Sequence, residues 1–396
     1  MSDSSIIAGL DIGTTGVTEV IARVDDEGEI SVLGVGEEPC QGLRRGLIVD
    51  VDSVASSIRT ANKRATRMAG VNVRSVFVGV PVIRISSAKS RGMTATSGDD
   101  WRVTAFDVKQ ALDAARILAI PPDREIISVL PTEYIVDGLG GIQDPEGMTG
   151  IRLEVNAKVI SGQAAILENI AESVERAGLS IEGRILEPIA VAKAALSDEQ
   201  IHRGVMLVDI GGQITQVVIF YEGAPIQFLW VPVGGMHVTN DISIGMKVSF
   251  EEAEAIKQKN SSIQNSSGNK DEFITDIINA RLQEVLELIE SETREVRNSG
   301  FVPCGVVFAG FGSLAPCIPQ LASEILDLPV KIGESRPVRA AKGIEPGSLS
   351  QVALGITRHV AEDSGFMFER ESQPSAFKGI LSEIRGWFDE FLRDFF

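Results

Sequence analysis

Two short runs in the chain carry the same chemistry in the same setting. Asp11-Ile12-Gly13-Thr14-Thr15 joins an apolar strand to the strand-like VTEVIARV, and Asp209-Ile210-Gly211-Gly212-Gln213-Ile214-Thr215 joins GVMLV to QVVIF. An aspartate at a strand end can hold Mg2+, usually through water, and glycine in a tight turn lets backbone N–H groups reach phosphate oxygens without a Cβ in the way. One Asp-x-Gly turn is most often a plain hairpin. Two in register form a phosphate clamp, with Asp11 and Asp209 as metal candidates. A third turn, Gly310-Phe311-Gly312-Ser313, leaves an apolar strand at 305–309 for a helix, with Ser313 expected as N-cap and Pro316 in the first turn. It suits an adenine ring or phosphates. Glu254 and Lys257, three apart in FEEAEAIKQK, share a helical face and could grip ribose hydroxyls or simply form a solvated pair.

The elements around these turns repeat as well. Segment 7–36 reads strand, Asp-x-Gly turn, strand, turn, strand, and segment 204–235 repeats that grammar 198 residues later. Helical stretches such as 53–69 and 250–259 accompany the two halves. The pattern predicts an internal duplication: two α/β lobes facing each other across a cleft, each aiming one turn into it.

Composition sets the bounds. At 396 residues and 44% hydrophobic, the chain can bury about two to four globular units. A formal charge of −18 argues against nucleic acid or any broad polyanion, while leaving room for a small anion such as ATP held by backbone N–H groups and a metal. Cys40, Cys304 and Cys317 form neither a metal knuckle nor a disulfide framework, which fits a reducing cytoplasm. No basic leader and no apolar run of about 18–20 residues is present, so neither export nor a membrane span is expected.

In their order, these elements resemble the actin, heat-shock chaperone and sugar-kinase superfamily: first phosphate loop, second phosphate loop, ribose helix, adenosine loop. The segment from about Asp107 to Gly162, DVKQALDAARILAIPPDREIISVLPTEYIVDGLGGIQDPEGMTGIRLEVNAKVISG, resembles the inserted subdomain peculiar to the FtsA family, and VPVGGMHVTNDISIGMKVSFEEAEAIK is similar to that family's stretch after the second loop. The resemblance implies an α/β fold, an actin-like duplicated ribonuclease-H-type architecture with two lobes around a nucleotide cleft. It implies subdomain 1A at 1–83 with 165–203 and 340–362, and an inserted 1C at 84–164 that takes part in filament contacts and in recruiting later division proteins. It further implies 2A at 204–250 with 300–339, and 2B at 251–299. On residues alone, 84–164 reads as a compact α/β unit with a helix at 105–119. ATP with Mg2+ would then meet Asp11, Gly13, Thr14, Thr15, Asp209, Gly211, Gly212, Gln213, Thr215, Glu254, Lys257, Gly310, Phe311, Gly312 and Ser313.

The chain departs from the family pattern where hydrolysis is at stake. The second loop usually reads Asp-x-Gly-Gly-Gly-Thr-Thr-Asp; here Gln213 adds a side chain where bare backbone would meet phosphate, and Gln216 removes a carboxylate. Gly16 and Thr18 cannot replace the lysine that many relatives carry in the first loop. The adenosine loop has Phe311 where a second adjacent glycine is common. The expectation is ATP binding with slow or absent turnover, and no confident catalytic residue.

Residues 377–396, FKGILSEIRGWFDEFLRDFF, place Phe377, Ile380, Leu381, Ile384, Trp387, Phe388, Phe391, Leu392, Phe395 and Phe396 on one helical stripe, behind a polar linker at 363–376 containing Pro374. Such a detached helix must bury its apolar face elsewhere, in a lipid surface or on a protein. Its polar face mixes Lys378, Arg385 and Arg393 with Glu383, Asp389, Glu390 and Asp394. Similarity to the family's membrane-targeting tail favours lipid, on the cytoplasmic side of the bacterial inner membrane at the division septum. The long amphipathic helix at 271–299 corresponds to the family's docking site for the C-terminal peptide of the tubulin-like FtsZ. Arg281, Arg294, Arg297 and Asn298 are the candidate contacts there, or ordinary solvated helix charges. The implied function is a polymerising membrane tether for FtsZ. A pilus-assembly actin-fold protein of the PilM type and a sugar-kinase-type phosphotransferase are the alternatives.

Overall fold

A computed structural model of the chain describes residues 5–25, 28–97, 100–262, 272–298, 305–315, 317–345, 347 and 349–362. The first lobe opens with β1 (Ser5–Ile12), β2 (Gly16–Val24) and β3 (Ile30–Pro39), then a ribbon of β4 (Leu43–Arg44) and β5 (Leu47–Ile48), α1 (Val51–Ala69) and β6 (Ser75–Val80). An insert follows: β7 (Ser86–Ala95), α2 (Ala105–Ala115), β8 (Arg124–Val136), β9 (Leu139–Ile142) and β10 (Arg152–Gln163). The chain returns through α3 (Ala164–Ala177), β11 (Ser180–Leu186), α4 (Glu187–Ala195) and α5 (Asp198–Arg203). The second lobe holds β12 (Val205–Ile210), β13 (Thr215–Tyr221), β14 (Ala224–Val231), α6 (Gly235–Met246), α7 (Phe250–Ser262), α8 (Glu272–Asn298), β15 (Val306–Ala309), α9 (Ile318–Leu326) and β16 (Val330–Ile332). The last elements, β17 (Arg339–Ala340) and α10 (Gln351–Glu362), rejoin the first lobe.

The two main sheets are built alike. The first runs β11-β6-β1-β2-β3-β17 and the second, read in the matching direction, β16-β15-β12-β13-β14. In both, three parallel strands are followed by two that complete an antiparallel meander, and the first sheet adds β17, parallel to β3. The register repeats too: Asp11 lies opposite Thr18 and Ile12 opposite Val17, while Asp209 lies opposite Gln216 and Ile210 opposite Thr215. These strands are apolar along most of their length because helices cover the sheets, the pattern expected of buried parallel strands.

Each lobe has its own core. In the first, Leu10, Val17 and Ile21 pack with Ile58, Ala61 and Ala65 of α1, and α10 packs on the sheet's other face against Val20 and Val32. In the second, Val208, Val217 and Phe308 share one core with Ile278, Leu282, Val285 and Ile289 of α8. The insert is a four-stranded antiparallel sheet, β7-β10-β8-β9, backed by α2, with a separate core around Leu112, Leu153 and Val155. Helix α2 starts on a capping box between Thr104 and Asp107 and ends at Ala115, short of the expected 119. Past Arg116 the Ile117 N–H turns to the Ala114 carbonyl (3.2 Å) and the Leu118 N–H to that of Arg116 (2.8 Å), so the helical ladder stops before Pro121 bars Ile120 from helical geometry, and Ile117 is left almost wholly exposed. The insert also reaches the second lobe: Lys158 Nζ donates to the carbonyls of Pro225 (3.1 Å) and Ile226 (2.6 Å).

Residues 363–376 and 377–396, the linker and the amphipathic stripe, lie outside the described residues. Among the described residues, no helix is long and apolar enough to cross a membrane.

Candidate functional site between the lobes

Both Asp-x-Gly turns close through the same hydrogen bond. Gly13 N–H donates to the Gly16 carbonyl at 3.0 Å, and Gly211 N–H donates to the Ile214 carbonyl at 3.0 Å. The turns then meet across the cleft. Gln213 N–H donates to Thr14 Oγ1 (3.1 Å), and a Cβ on Gly212 would stand 2.6 Å from Thr14 Oγ1 and 2.7 Å from Thr15 Cγ2, so only glycine fits this approach undisturbed.

The start of α6 sits on the second turn, with Gly235 N–H donating to the Gly211 carbonyl (2.9 Å) and Met236 N–H to the Gly212 carbonyl (2.7 Å). Lys257 Nζ reaches the Gly235 carbonyl (3.2 Å), Thr239 Oγ1 (2.8 Å) and Glu254 Oε2 (2.7 Å), and Thr239 Oγ1 donates to Glu254. Burial raises the pKa of Glu254, but the hydrogen bonds from Lys257 and Thr239 outweigh it and leave the carboxyl below its usual range. The Glu254–Lys257 pair is thus a half-buried cluster with Thr239 beside the second turn, more than a solvated surface pair. Gly310, at φ +77°, comes so close to Asp209 that a Cβ would lie 2.4 Å from its Oδ1, which brings the third turn into the same place. Phe311 is exposed, and Gly312 borders α6 at Gly235.

Several expected contacts have other employment. Ser313 does not cap a helix: its N–H (3.1 Å) and hydroxyl (2.7 Å) both donate to the Gly310 carbonyl within a 3-10 turn at Phe311–Leu314, and α9 begins later, at Ile318. Pro316 lies outside the described residues. Thr215 is fully buried and donates to the Val233 carbonyl (2.8 Å), so its hydroxyl is turned away from the cleft. The Gln213 side chain has a partner across the cleft: its carbonyl accepts the Arg45 N–H of the β4–β5 ribbon in the opposite lobe. Gln216, in the place of the family's carboxylate, is a buried strut: its amide donates to Glu187 Oε2 while its carbonyl accepts the Val82 N–H (2.8 Å).

Three site residues escaped the sequence reading. Glu187, at the start of α4, lies with Asp11 and Asp209 in one acidic group. Burial pushes Asp11 up to about 6, and burial plus repulsion from Asp11 pushes Asp209 up to about 7; Glu187 is raised well above its usual range by burial and then by Asp11. Ser350 donates to Asp11 Oδ2 (2.6 Å), and Gln351 accepts the Gly310 N–H (3.0 Å) while donating to the Gly333 carbonyl (2.8 Å). The signals available were a Glu-Pro pair after an apolar strand and a Ser before an apolar helical run.

A crowded carboxylate group of this kind suits a divalent cation, whose charge relieves the mutual repulsion. Among the described residues no group of three His, Cys, Asp or Glu side chains is placed to hold a metal ion. Glycine at Gly13, Gly211 and Gly212 keeps Cβ atoms out of the turns, which suits a phosphate chain approaching the backbone, although the Gly13, Gly211 and Gln213 N–H groups already donate within or between the turns.

On α8, Arg281 donates to both oxygens of Asp241 (2.6 and 3.0 Å) and to Glu284, fastening α8 to α6. Arg294 pairs with Glu290 and keeps most of its surface exposed, while the side chains of Arg297 and Asn298 lie outside the described residues.

Two family models match the chain: "SHS2 domain inserted in FTSA" over residues 83–161 and "Cell division protein FtsA" over residues 206–353. Among curated proteins, Cell division protein FtsA of Bacillus subtilis is 34% identical over 94% of this chain and 89% of its own length, and that of Pseudomonas aeruginosa 31% identical over 90% and 89%. Among solved structures, a PilM–PilN type IV pilus biogenesis complex matches with TM-score 0.64 at 17% identity, over 90% of this chain and 98% of that one. MreB5 of Spiroplasma citri bound to ADP matches with TM-score 0.53 at 14% identity, over 91% and 99%. Those likenesses establish the actin-like fold alone, whereas the sequence relatives decide between the pilus, kinase and division readings. With its duplicated lobes, its inserted sheet and relatives above 30% identity along nearly its whole length, the chain belongs to the FtsA family of cell division proteins.

Proposed function

We propose that this chain tethers FtsZ filaments to the cytoplasmic face of the inner membrane at the division septum, helps assemble the division machinery, and polymerises as an ATP-binding protein. The observation that carries the nucleotide part is the meeting of two turns of identical register, backed by α6, Lys257 and the Gly310–Gly312 turn. ATP lies against Gly13, Thr14, Thr15, Gly211, Gly212 and Gln213. Glu254 and Lys257 take the ribose, and Gly310, Phe311 and Gly312 flank the base. Asp11 and Asp209 would hold Mg2+ through water, and the ion would supply charge neutralisation for the phosphates. Gln216 leaves turnover slow, because an amide hydrogen-bonded on both sides cannot take a proton from water.

The membrane part rests on the apolar stripe of 377–396. Burial of large side chains at about 1.5 to 3 kcal/mol each makes even partial insertion of ten sufficient, and polymerisation multiplies the anchors. FtsZ's C-terminal peptide meets α8 through Arg294, Arg297 and Asn298, with Arg281 holding the helix in place. Co-sedimentation with liposomes, using the full chain and a version ending at Ser375, tests the tether. The full chain should pellet and carry an FtsZ C-terminal peptide with it. If both versions stay in solution with the peptide, the tether is wrong.

A further inference from the structure

Gln213 touches the first lobe at two points: its N–H donates to Thr14 Oγ1 (3.1 Å), and its side-chain carbonyl accepts the Arg45 N–H. Arg45 therefore stands one glutamine side chain away from the place where the two turns meet. Gly46 extends the same contact, since a Cβ there would stand 3.0 Å from Ile214 Cδ1 and 2.5 Å from Ile83 Cδ1. The tip of the β4–β5 ribbon is thus seated on the second turn. Arg45 (φ +50°) and Gly46 (φ +74°) form its two-residue hairpin turn. Asparagine or glycine would hold that turn at lower cost than arginine, and strain kept beside a cleft points to a use for the side chain. Arg45 is exposed and has no ion pair among the described residues.

A triphosphate between the lobes needs positive charge, and the donors nearest the turns are already engaged. The Gly13, Gly211 and Gln213 N–H groups donate within or between the turns. Lys257 is held by Glu254, Thr239 and the Gly235 carbonyl. Gly16 and Thr18 carry no charge, and Asp11, Asp209 and Glu187 add negative charge to the same place. An arginine fork matches phosphate oxygens in pairs and stays charged at any working pH. We propose that Arg45 is the cationic arm of the nucleotide site, gripping a terminal phosphate across the cleft in place of the lysine that the first loop lacks. Arg45 can act in this way only if the cleft binds a nucleotide, so its role rests on that part of the proposed function.

Calorimetric titration of the full chain with ATP and Mg2+ at physiological ionic strength tests this, beside Arg45→Asn, Arg45→Lys and Arg44→Asn. Asparagine keeps the backbone N–H that Gln213 accepts and suits the positive φ, so the urea midpoint of Arg45→Asn should not fall. Its affinity for ATP should fall about tenfold or more, the loss expected when charge-assisted hydrogen bonds to phosphate are removed. Arg45→Lys, with a point charge and no fork, should recover part of that loss. Arg44→Asn removes the same charge one residue away and should stay within about twofold of the unaltered chain, because salt screens an exposed charge that makes no contact. Inorganic tripolyphosphate, which has neither base nor ribose, should repeat this order. Equal losses in Arg44→Asn and Arg45→Asn overturn the role, as does a loss with ATP that tripolyphosphate does not share. If all the chains bind ATP equally, the nucleotide reading stands and Arg45 alone is ruled out. If none binds ATP, the nucleotide reading fails and the role of Arg45 falls with it.

Discussion

The two Asp-x-Gly turns share a backbone and differ in what their side chains do. Both close with a 3.0 Å hydrogen bond from the glycine N–H, and both place the aspartate at the same step of the same meander. In the first, Asp11 is fixed by Ser350 and its partner across the hairpin is Thr18. In the second, the partner is Gln216, whose two hydrogen bonds tie the lobe to Val82 and Glu187. One position further on, buried Glu19 in the first hairpin corresponds to buried Val217 in the second. Duplication has kept the turn geometry, which backbone and glycine supply, while the side chains around it have taken separate tasks.

The largest way to break this comparison is through Glu19. It sits under α1 with Oε1 accepting from Asn62 (3.0 Å) and Oε2 without a partner, and burial pushes its pKa up to about 7 against the Asn62 hydrogen bond. The folded chain therefore holds this proton more tightly than the unfolded chain. The resulting stabilisation is present below about pH 4.5 and is lost as pH rises through about 7, a swing on the order of 3 kcal/mol. Glu19→Gln should remove that part of the pH dependence of urea unfolding and raise the midpoint at pH 8; an unaltered profile would refute the assignment.

Next comes Gln216→Ala, which strands the buried Val82 N–H and removes a partner of Glu187, at a cost of about 1 to 3 kcal/mol. Its counterpart Thr18→Ala should stay within about 0.5 kcal/mol, as usual for a substitution outside a buried network. Equal losses in a denaturation series would show that the two hairpins are not differentiated in this way. Ser350→Ala should cost about 1 kcal/mol, combining one hydrogen bond to Asp11 with the loss of a contact to the Ala353 N–H at the helix start. Smallest is Arg281→Lys, which loses the two-pronged grip on Asp241; about 0.5 to 1 kcal/mol is expected for this partly exposed pair, read from the same unfolding curves.

How much of this was legible in the sequence follows the range of the interactions. The twin turns, the hairpins that flank them and the glycines depend on neighbours a few residues away, so Asp11-Ile12-Gly13 and Asp209-Ile210-Gly211 announced them. Gln216 reaches Val82 and Glu187, and Arg281 reaches Asp241, across separations that no local pattern encodes. Both therefore read as a missing carboxylate and a spare cation, when each is a structural tie. Ser313 misled for a local reason: its hydroxyl and N–H turn back to Gly310 before a helix can begin.

Helix α10 runs away from the Asp-x-Gly turns. Ser350 and Gln351 at its start hold Asp11 and the Gly310 turn, and toward its far end, about 18 Å away at 1.5 Å per residue, Arg358 donates to the carbonyls of Arg336 and Pro337. It is buried through most of its length, and at Gly355 a Cβ would come within 1.8 Å of the Ala190 carbonyl, so backbone lies against backbone. A rod clamped so tightly cannot absorb movement by bending. A movement at Asp11 or at the Gly310 turn would therefore be passed along α10 to Glu362 instead of being taken up within the helix.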